Sequence, residues 1–205
     1  MAVFPERPSE RSNDEAQKLQ AGKLWRQLPP EIRAVASESF WKDEDAVPQQ
    51  AEAVLWIAKQ LKFRPKSVEK LSEGRKARYL ASLAGVPDQV AIRALVSFHL
   101  EHRRAMMGAF LDWLGISHEN GLINEEDLKA PDPVKLEEAS AKLRAEYPKE
   151  DVELYFTTLM AQDADTWRGL AATEPDNEAT KTRTRLRGRE GTTTRNSKAP
   201  VRRTR

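Results

Sequence analysis

Along this chain apolar residues recur at intervals of three and four, and each such run opens close to a proline. Pro29/Pro30, Pro48, Pro65, Pro87, Pro131/Pro133 and Pro148 stand at or just before these runs, where a fixed φ and a missing N–H suit the first turn of a helix. The pattern predicts helices near 15–27, 30–43, 49–62, 66–84, 88–114, 133–146 and 149–171. Period-two alternation of β-branched residues is nearly absent, and so are Asn-Gly turns set between apolar runs. The expected fold class is all-α, an irregular bundle of about six to seven helices around a long central one.

The same spacing names the inward faces. They are Ile32, Val35, Ala36 and Phe40 on the second helix, and Ala51, Val54, Leu55, Ala58 and Leu61 on the third. Val152, Tyr155, Phe156, Leu159 and Met160 line the last helix, with Trp167 and Leu170 beyond a polar turn. Trp25, Trp41 and Trp56 also fall on helix faces and read as core. A helix over 88–114 would run ~40 Å. On it Ile92, Val96, His99, Leu100, Arg103, Met106, Met107, Phe110 and Leu114 share one broad face, with Leu95, His102 and Trp113 along its edge. Gly115 reads as its stop, and Ser117–Gly121 as a polar turn in which Asn120 or Gly121 is left-handed. The connection 115–131 exceeds the usual ~2–8 residues between bundle helices. It ends at Asp132-Pro133, a cap followed by a first-turn proline. No repeat at solenoid spacing is readable.

Composition then narrows the chemistry. The 205 residues include no cysteine, so disulfides, thiolate metal sites and thiol nucleophiles are excluded together. The first residues lack the apolar run of a secretory signal, and no segment approaches the ~18–20 apolar residues of a membrane span. The expectation is a cytoplasmic protein with no membrane contact.

The net charge of +2 conceals two opposite parts. Residues 181–205 hold ten basic residues, Lys181, Arg183, Arg185, Arg187, Arg189, Arg195, Lys198, Arg202, Arg203 and Arg205, against one acid, Glu190. That is +9; of 34 basic and 32 acidic residues, 24 and 31 remain for the rest, or −7. Apolar residues nearly vanish from about Thr173, and such a segment cannot offset its ordering entropy by burial. The expected organisation is a disordered N-terminus over 1–14, a helical domain over 15–172 and a disordered basic tail over 173–205. Lys181 to Arg189 places a cation at every second position, which suits a polyanion, while the absence of tail aromatics argues against sequence readout.

All three histidines fall between positions 99 and 118. His99 and His102 are i, i+3 neighbours that would be able to share a metal, with His118 and Glu119 folding back as further ligands. Against this, no metal-binding spacing is met: His118-Glu-Asn-Gly-Leu is not H-E-x-x-H, and His99-Leu-Glu-His is one residue short of H-x-x-E-H. No metal or cofactor is expected. Arg103, centred on an apolar face, calls for a carboxylate or carbonyl partner, as a structural pair with an acid of the last helix or as an anion-recognition point. Two functions remain. One is a non-enzymatic helical interaction or adaptor protein, with a protein partner and a tail that contacts nucleic acid non-specifically. The other is a small enzyme with a pocket built from His99, His102, Arg103, His118 and Glu119 at the end of the central helix, where a long loop begins.

Overall fold

The computed structural model describes residues 21–123 and 128–172. The disorder expected over 1–14 and 173–205, the start of the helix predicted from 15, and all ten basic tail positions lie outside the described residues. Within them the protein is all-α. Helices α1 (Ala21–Gln27), α2 (Pro30–Lys42), α3 (Val47–Leu61), α4 (Pro65–Glu69), α5 (Glu73–Ser82) and α6 (Asp88–His102) come first, with a 3-10 turn at Glu44–Ala46. Then follow α7 (Arg104–Leu114), strands β1 (His118–Glu119) and β2 (Leu122–Ile123), α8 (Pro133–Glu146), α9 (Lys149–Gln162) and α10 (Gly169–Ala172).

The prolines stand where their geometry is cheapest. Pro30, Pro65 and Pro133 open α2, α4 and α8, Pro48 is in the first turn of α3, and Pro87 and Pro148 precede α6 and α9. Asp132 caps α8 as expected, its side chain accepting from the amides of Val134 (3.0 Å) and Lys135 (3.2 Å).

Buried residues form two clusters. The first gathers Trp25, Phe40, Ile57, Leu80, Leu95 and Phe98 from α1 to α6; the second gathers Met106, Phe110, Leu143, Tyr155, Phe156 and Trp167 from α7 to α10. Helix α6 packs against α1, α2, α3 and α9, while α8 packs against α7, α9 and α10. Because α6 has neighbours on several sides, Ala94 to His99 are buried without interruption, which a one-sided wheel does not anticipate.

Three expectations need correction. The long central helix is broken at Arg103, whose φ of −132° and ψ of 20° are not helical. The break turns the chain so that each half serves its own cluster, and the adjacent arginines satisfy the exposed helix end. The Arg103 amide donates to the His99 carbonyl (2.7 Å), Arg104 Nε to the Leu100 carbonyl (3.1 Å) and Arg103 Nη1 to the His102 carbonyl (3.0 Å). Second, the predicted 66–84 and 149–171 helices are each interrupted, giving ten α-helical segments among the described residues. Third, Leu55 and Ala51 face solvent rather than core, since Ala53, Val54, Ile57 and Ala58 carry the buried face of α3.

The long connection contains a hairpin, which also corrects the expectation that Asn-Gly turns of this kind are nearly absent. His118 pairs with Ile123 and Glu119 with Leu122, joined by Asn120 (φ 54°) and Gly121 (φ 91°). Two successive positive φ angles define a type I′ turn, and Asn-Gly is the dipeptide that adopts it most readily. An added Cβ on Gly121 would meet Met107 Cβ at 3.0 Å, so the turn lies directly on α7.

Candidate functional site

The structure separates the five residues of the predicted pocket. His99 is 1% exposed and faces α9, with its ring edge-on to Phe98 and Tyr155. The Thr158 hydroxyl donates to the Leu154 carbonyl (2.8 Å), so its oxygen accepts from His99 Nε2–H at 3.2 Å. Nδ1 is buried and has no partner among the described residues. Burial, and after it the charge of Arg103, push the imidazole pKa down to about 3. His99 is a neutral core side chain.

His102 is exposed on the other side of α6, 3.3 Å from Ser39 Oγ. Arg103 is one third exposed and reaches the first turn of α9: Nη2 donates to Asp151 Oδ1 and Nε lies beside Oδ2, both at 2.9 Å. The partner is an acid of the last long helix, as a structural pair requires. Its guanidinium also lies 5.6 Å from the Phe98 ring centre.

His118 holds the hairpin to α7. Its Nδ1 accepts from the Gly121 amide (3.1 Å), so Nε2 carries the proton and faces Asp112 Oδ1 at 3.2 Å. Its ring packs on Gly108, where an added Cβ would stand 3.4 Å from Cε1. Each histidine has a different neighbour set. Among the described residues no three His, Asp or Glu side chains are grouped to hold a metal.

Of the five, Glu119 alone lines a cleft, of about 520 Å³, between α2, α6 and the hairpin. Its walls are Ser39 and Lys42 from α2, Ser97, Leu100 and Glu101 from α6, Arg104 from α7, and Asn120 and Leu122 from the turn; Asp43 and Asp45 close one end. Three of its six charged side chains, Lys42, Asp43 and Glu101, are held in ion pairs. Arg93 grips Asp43 through Nε to Oδ2 (2.9 Å) and Nη2 to Oδ1 (2.7 Å), and Ser97 Oγ donates to Oδ2 at 2.5 Å. Burial alone would raise the Asp43 pKa, but these hydrogen bonds and the arginine charge overcome it and hold the carboxyl below its ordinary value. Lys42 lies 3.0 Å from Glu101, and the Ser39 hydroxyl, then Lys42, keep the Glu101 carboxyl low.

A Ser beside an Asp invites comparison with a nucleophile and its base. The geometry opposes that role, because a carboxylate locked to a bidentate arginine is a poor proton acceptor at neutral pH. The network does something else. Asp43 caps the 3-10 turn by accepting from the Asp45 amide (3.0 Å), and Gln50 Nε2 donates to the carbonyls of Phe40 (2.8 Å) and Asp43 (2.9 Å). It ties the α2–α3 corner to α6. Sequence reasoning missed it, since Asp43 and Arg93 are fifty positions apart and the clue was only two polar residues, Arg93 and Ser97, inside an apolar run.

The chain matches no protein-family model, no curated protein and no solved structure.

Proposed function

We propose that the chain is a non-enzymatic helical interaction protein. Its folded body meets a protein partner, and its basic positions from Lys181 to Arg205 contact nucleic acid without sequence preference. The observation that carries the first part is the state of the cleft. Its most buried acid, Asp43, is saturated by Arg93 and Ser97, and His99, the strongest base candidate, is sealed between helices. Ser39 and His102 stand 3.3 Å apart, but Glu101 approaches the same Nε2 (3.8 Å) rather than Nδ1 and so does not orient the imidazole as the acid of a triad does. A surface for a partner is available on α3, where Val47 (62% exposed), Ala51 and Leu55 (58% exposed) stand one turn apart on the solvent side.

The second part rests on charge: ten cations and one acid over 181–205 against −7 for the rest. Cations at alternate positions of an extended chain follow a phosphate backbone, and counterion release makes the affinity salt-dependent. The test is binding of a labelled duplex and a labelled single strand at two salt concentrations, by the full chain and by one lacking 174–205. Weaker binding of the truncated form and a steep salt dependence of the full chain are expected. Equal affinity of the two forms overturns the nucleic-acid role of these positions. For the partner surface, affinity capture with Leu55→Glu beside the wild type should lose any protein held through α3.

A further inference from the structure

The described residues hold 21 basic and 21 acidic side chains, and that balance hides a strongly basic segment. Positions 59–78 carry eight cations, Lys59, Lys62, Arg64, Lys66, Lys70, Arg75, Lys76 and Arg78, against Glu69 and Glu73, a net +6. No ion pair among the described residues engages any of the eight. Elsewhere in the body Lys42, Arg93, Arg103, Arg144 and Arg168 all have carboxylate partners. Lys59 and Lys76 lie over the Trp56 and Trp41 rings at 5.5 and 5.2 Å, which leaves their charges without an anion.

An aromatic pair stands within this segment. Phe63 is 43% exposed and meets the half-buried Tyr79 edge-on at 5.7 Å between ring centres. The Phe63 backbone is anchored: Lys62 takes the left-handed cap of α3 (φ 56°), and the Phe63 amide donates to the Ala58 carbonyl at 2.8 Å. A non-glycine residue at that φ carries a conformational cost, and it fixes where the chain leaves α3 and so where the aromatic stands. Beside it Arg75, Arg78, Tyr79 and Ser82, at i, i+3, i+4 and i+7 of α5, line a hollow of about 450 Å³. Arg78 Nε donates to the Gly74 carbonyl (3.3 Å), and no other bond among the described residues holds its guanidinium.

We infer that Lys62, Phe63, Arg64, Arg75, Arg78 and Tyr79 form a binding face for single-stranded nucleic acid on the folded body, separate from the basic positions after 181. Unpaired guanidinium groups take the phosphates, and the exposed Phe63 ring gives a base a stacking platform. Bare cations alone would suit any polyanion. The exposed, backbone-anchored aromatic favours a single strand, whose bases are free to stack, over a duplex or a lipid surface. The face does not depend on the tail reading.

The test uses the full chain in two backgrounds, wild type and one with Arg183→Gln, Arg185→Gln, Arg187→Gln and Arg189→Gln. In both, Arg75→Gln with Arg78→Gln, Phe63→Ala and Phe63→Tyr are compared for binding to labelled oligothymidine, to a duplex and to phosphatidylserine vesicles. In the tail-neutralised background the double arginine variant should bind oligothymidine about tenfold more weakly, with the salt slope reduced by roughly 1.4 at 0.7 per phosphate. Phe63→Ala should weaken single-strand binding about tenfold, leave any duplex binding unchanged, and be rescued by Phe63→Tyr. All the substituted side chains are surface groups, so the melting temperature should stay within a few degrees and identify any variant that has lost its fold. Unchanged oligothymidine binding by both variants overturns the inference, as does binding to vesicles without binding to the oligonucleotide. If neutralising the four tail arginines alone changes nothing, the tail reading fails while this one stands.

Discussion

Replacing Arg103 by alanine removes three contacts at once from the break between α6 and α7. The charge-assisted bond to Asp151 (2.9 Å) is worth ~1.5 kcal/mol after allowance for its exposure. The bond from Nη1 to the His102 carbonyl (3.0 Å) adds about 0.5 kcal/mol, and the guanidinium over Phe98 about 0.5 kcal/mol. The total, about 2–3 kcal/mol, falls below the ~3–5 kcal/mol that breaking a fully buried pair costs. The reason is visible in the geometry: the two side chains are 32% and 21% exposed. Asp151 left alone is reached by water, and in the first turn of α9 it still faces the positive end of the helix dipole.

Denaturant unfolding of wild type, Arg103→Ala, Asp151→Asn and the double variant measures this directly. The cycle should give a coupling of about 1–1.5 kcal/mol between the two residues. A loss under about 0.5 kcal/mol for Arg103→Ala, or strict additivity in the cycle, would refute the pairing and leave the helix break without its proposed anchor.

The remaining expectations rest on single sites. The His99 pKa, near 3 in the fold and ~6.5 unfolded, means that the unfolded chain binds the extra proton, so stability should be full above pH ~6.5 and fall as pH drops towards 3. The slope approaches ~1.4 kcal/mol per pH unit, giving a loss near 2 kcal/mol by about pH 5; His99→Gln should flatten this part of the profile, and an unchanged slope would assign it elsewhere. Gly121→Ala places a Cβ 3.0 Å from Met107 Cβ at a φ of 91° and should cost roughly 1–3 kcal/mol in chemical unfolding. Gly121→Ala stability equal to wild type would disprove the packing of the turn on α7. Asp43→Asn keeps the shape but loses the ionic bonds to Arg93, and should destabilise by about 1–3 kcal/mol. Because the Asp43 pKa is lowered in the fold, the wild-type advantage over Asp43→Asn is full above the unfolded carboxylate pKa, ~3.9, and disappears as pH falls through the folded one. A constant gap down to acid pH would show that the charge is not what matters.

Local chemistry was legible in the sequence wherever it decides local structure. The prolines marked six helix starts, Asp132 its cap, and Trp25, Phe40, Phe110 and Tyr155 the core, because backbone geometry and apolar spacing act over a few residues. Two kinds of feature were not. One was the break at Arg103: heptad-like spacing runs straight through it, and only the existence of two separate clusters makes a bend favourable. The other was the set of partners in space. Asp43 with Arg93, Thr158 with His99 and Asp151 with Arg103 join segments about fifty or more positions apart, and periodicity along one helix carries no information about which face of another it meets. The hairpin lies between. Asn120-Gly121 is a strong turn signal by itself, but the paired segments are two residues each and too short to show alternation.

Charge shows the same limit from another direction. Dividing the chain at its most basic segment leaves a body of −7, which reads as an acidic surface. That sum includes ten acids outside the described residues; the described residues themselves balance, with 21 acids against 21 cations, while α4, α5 and the end of α3 carry a net +6. With screening over ~8–10 Å, a ligand meets the charges of one face rather than the total. What distinguishes positions 59–78 is density: eight cations within twenty positions, none in an ion pair among the described residues, whereas Arg93, Arg103 and Arg144 spend their charge on carboxylates inside the fold. The folded residues therefore carry a basic face of their own that no sum over the chain reveals.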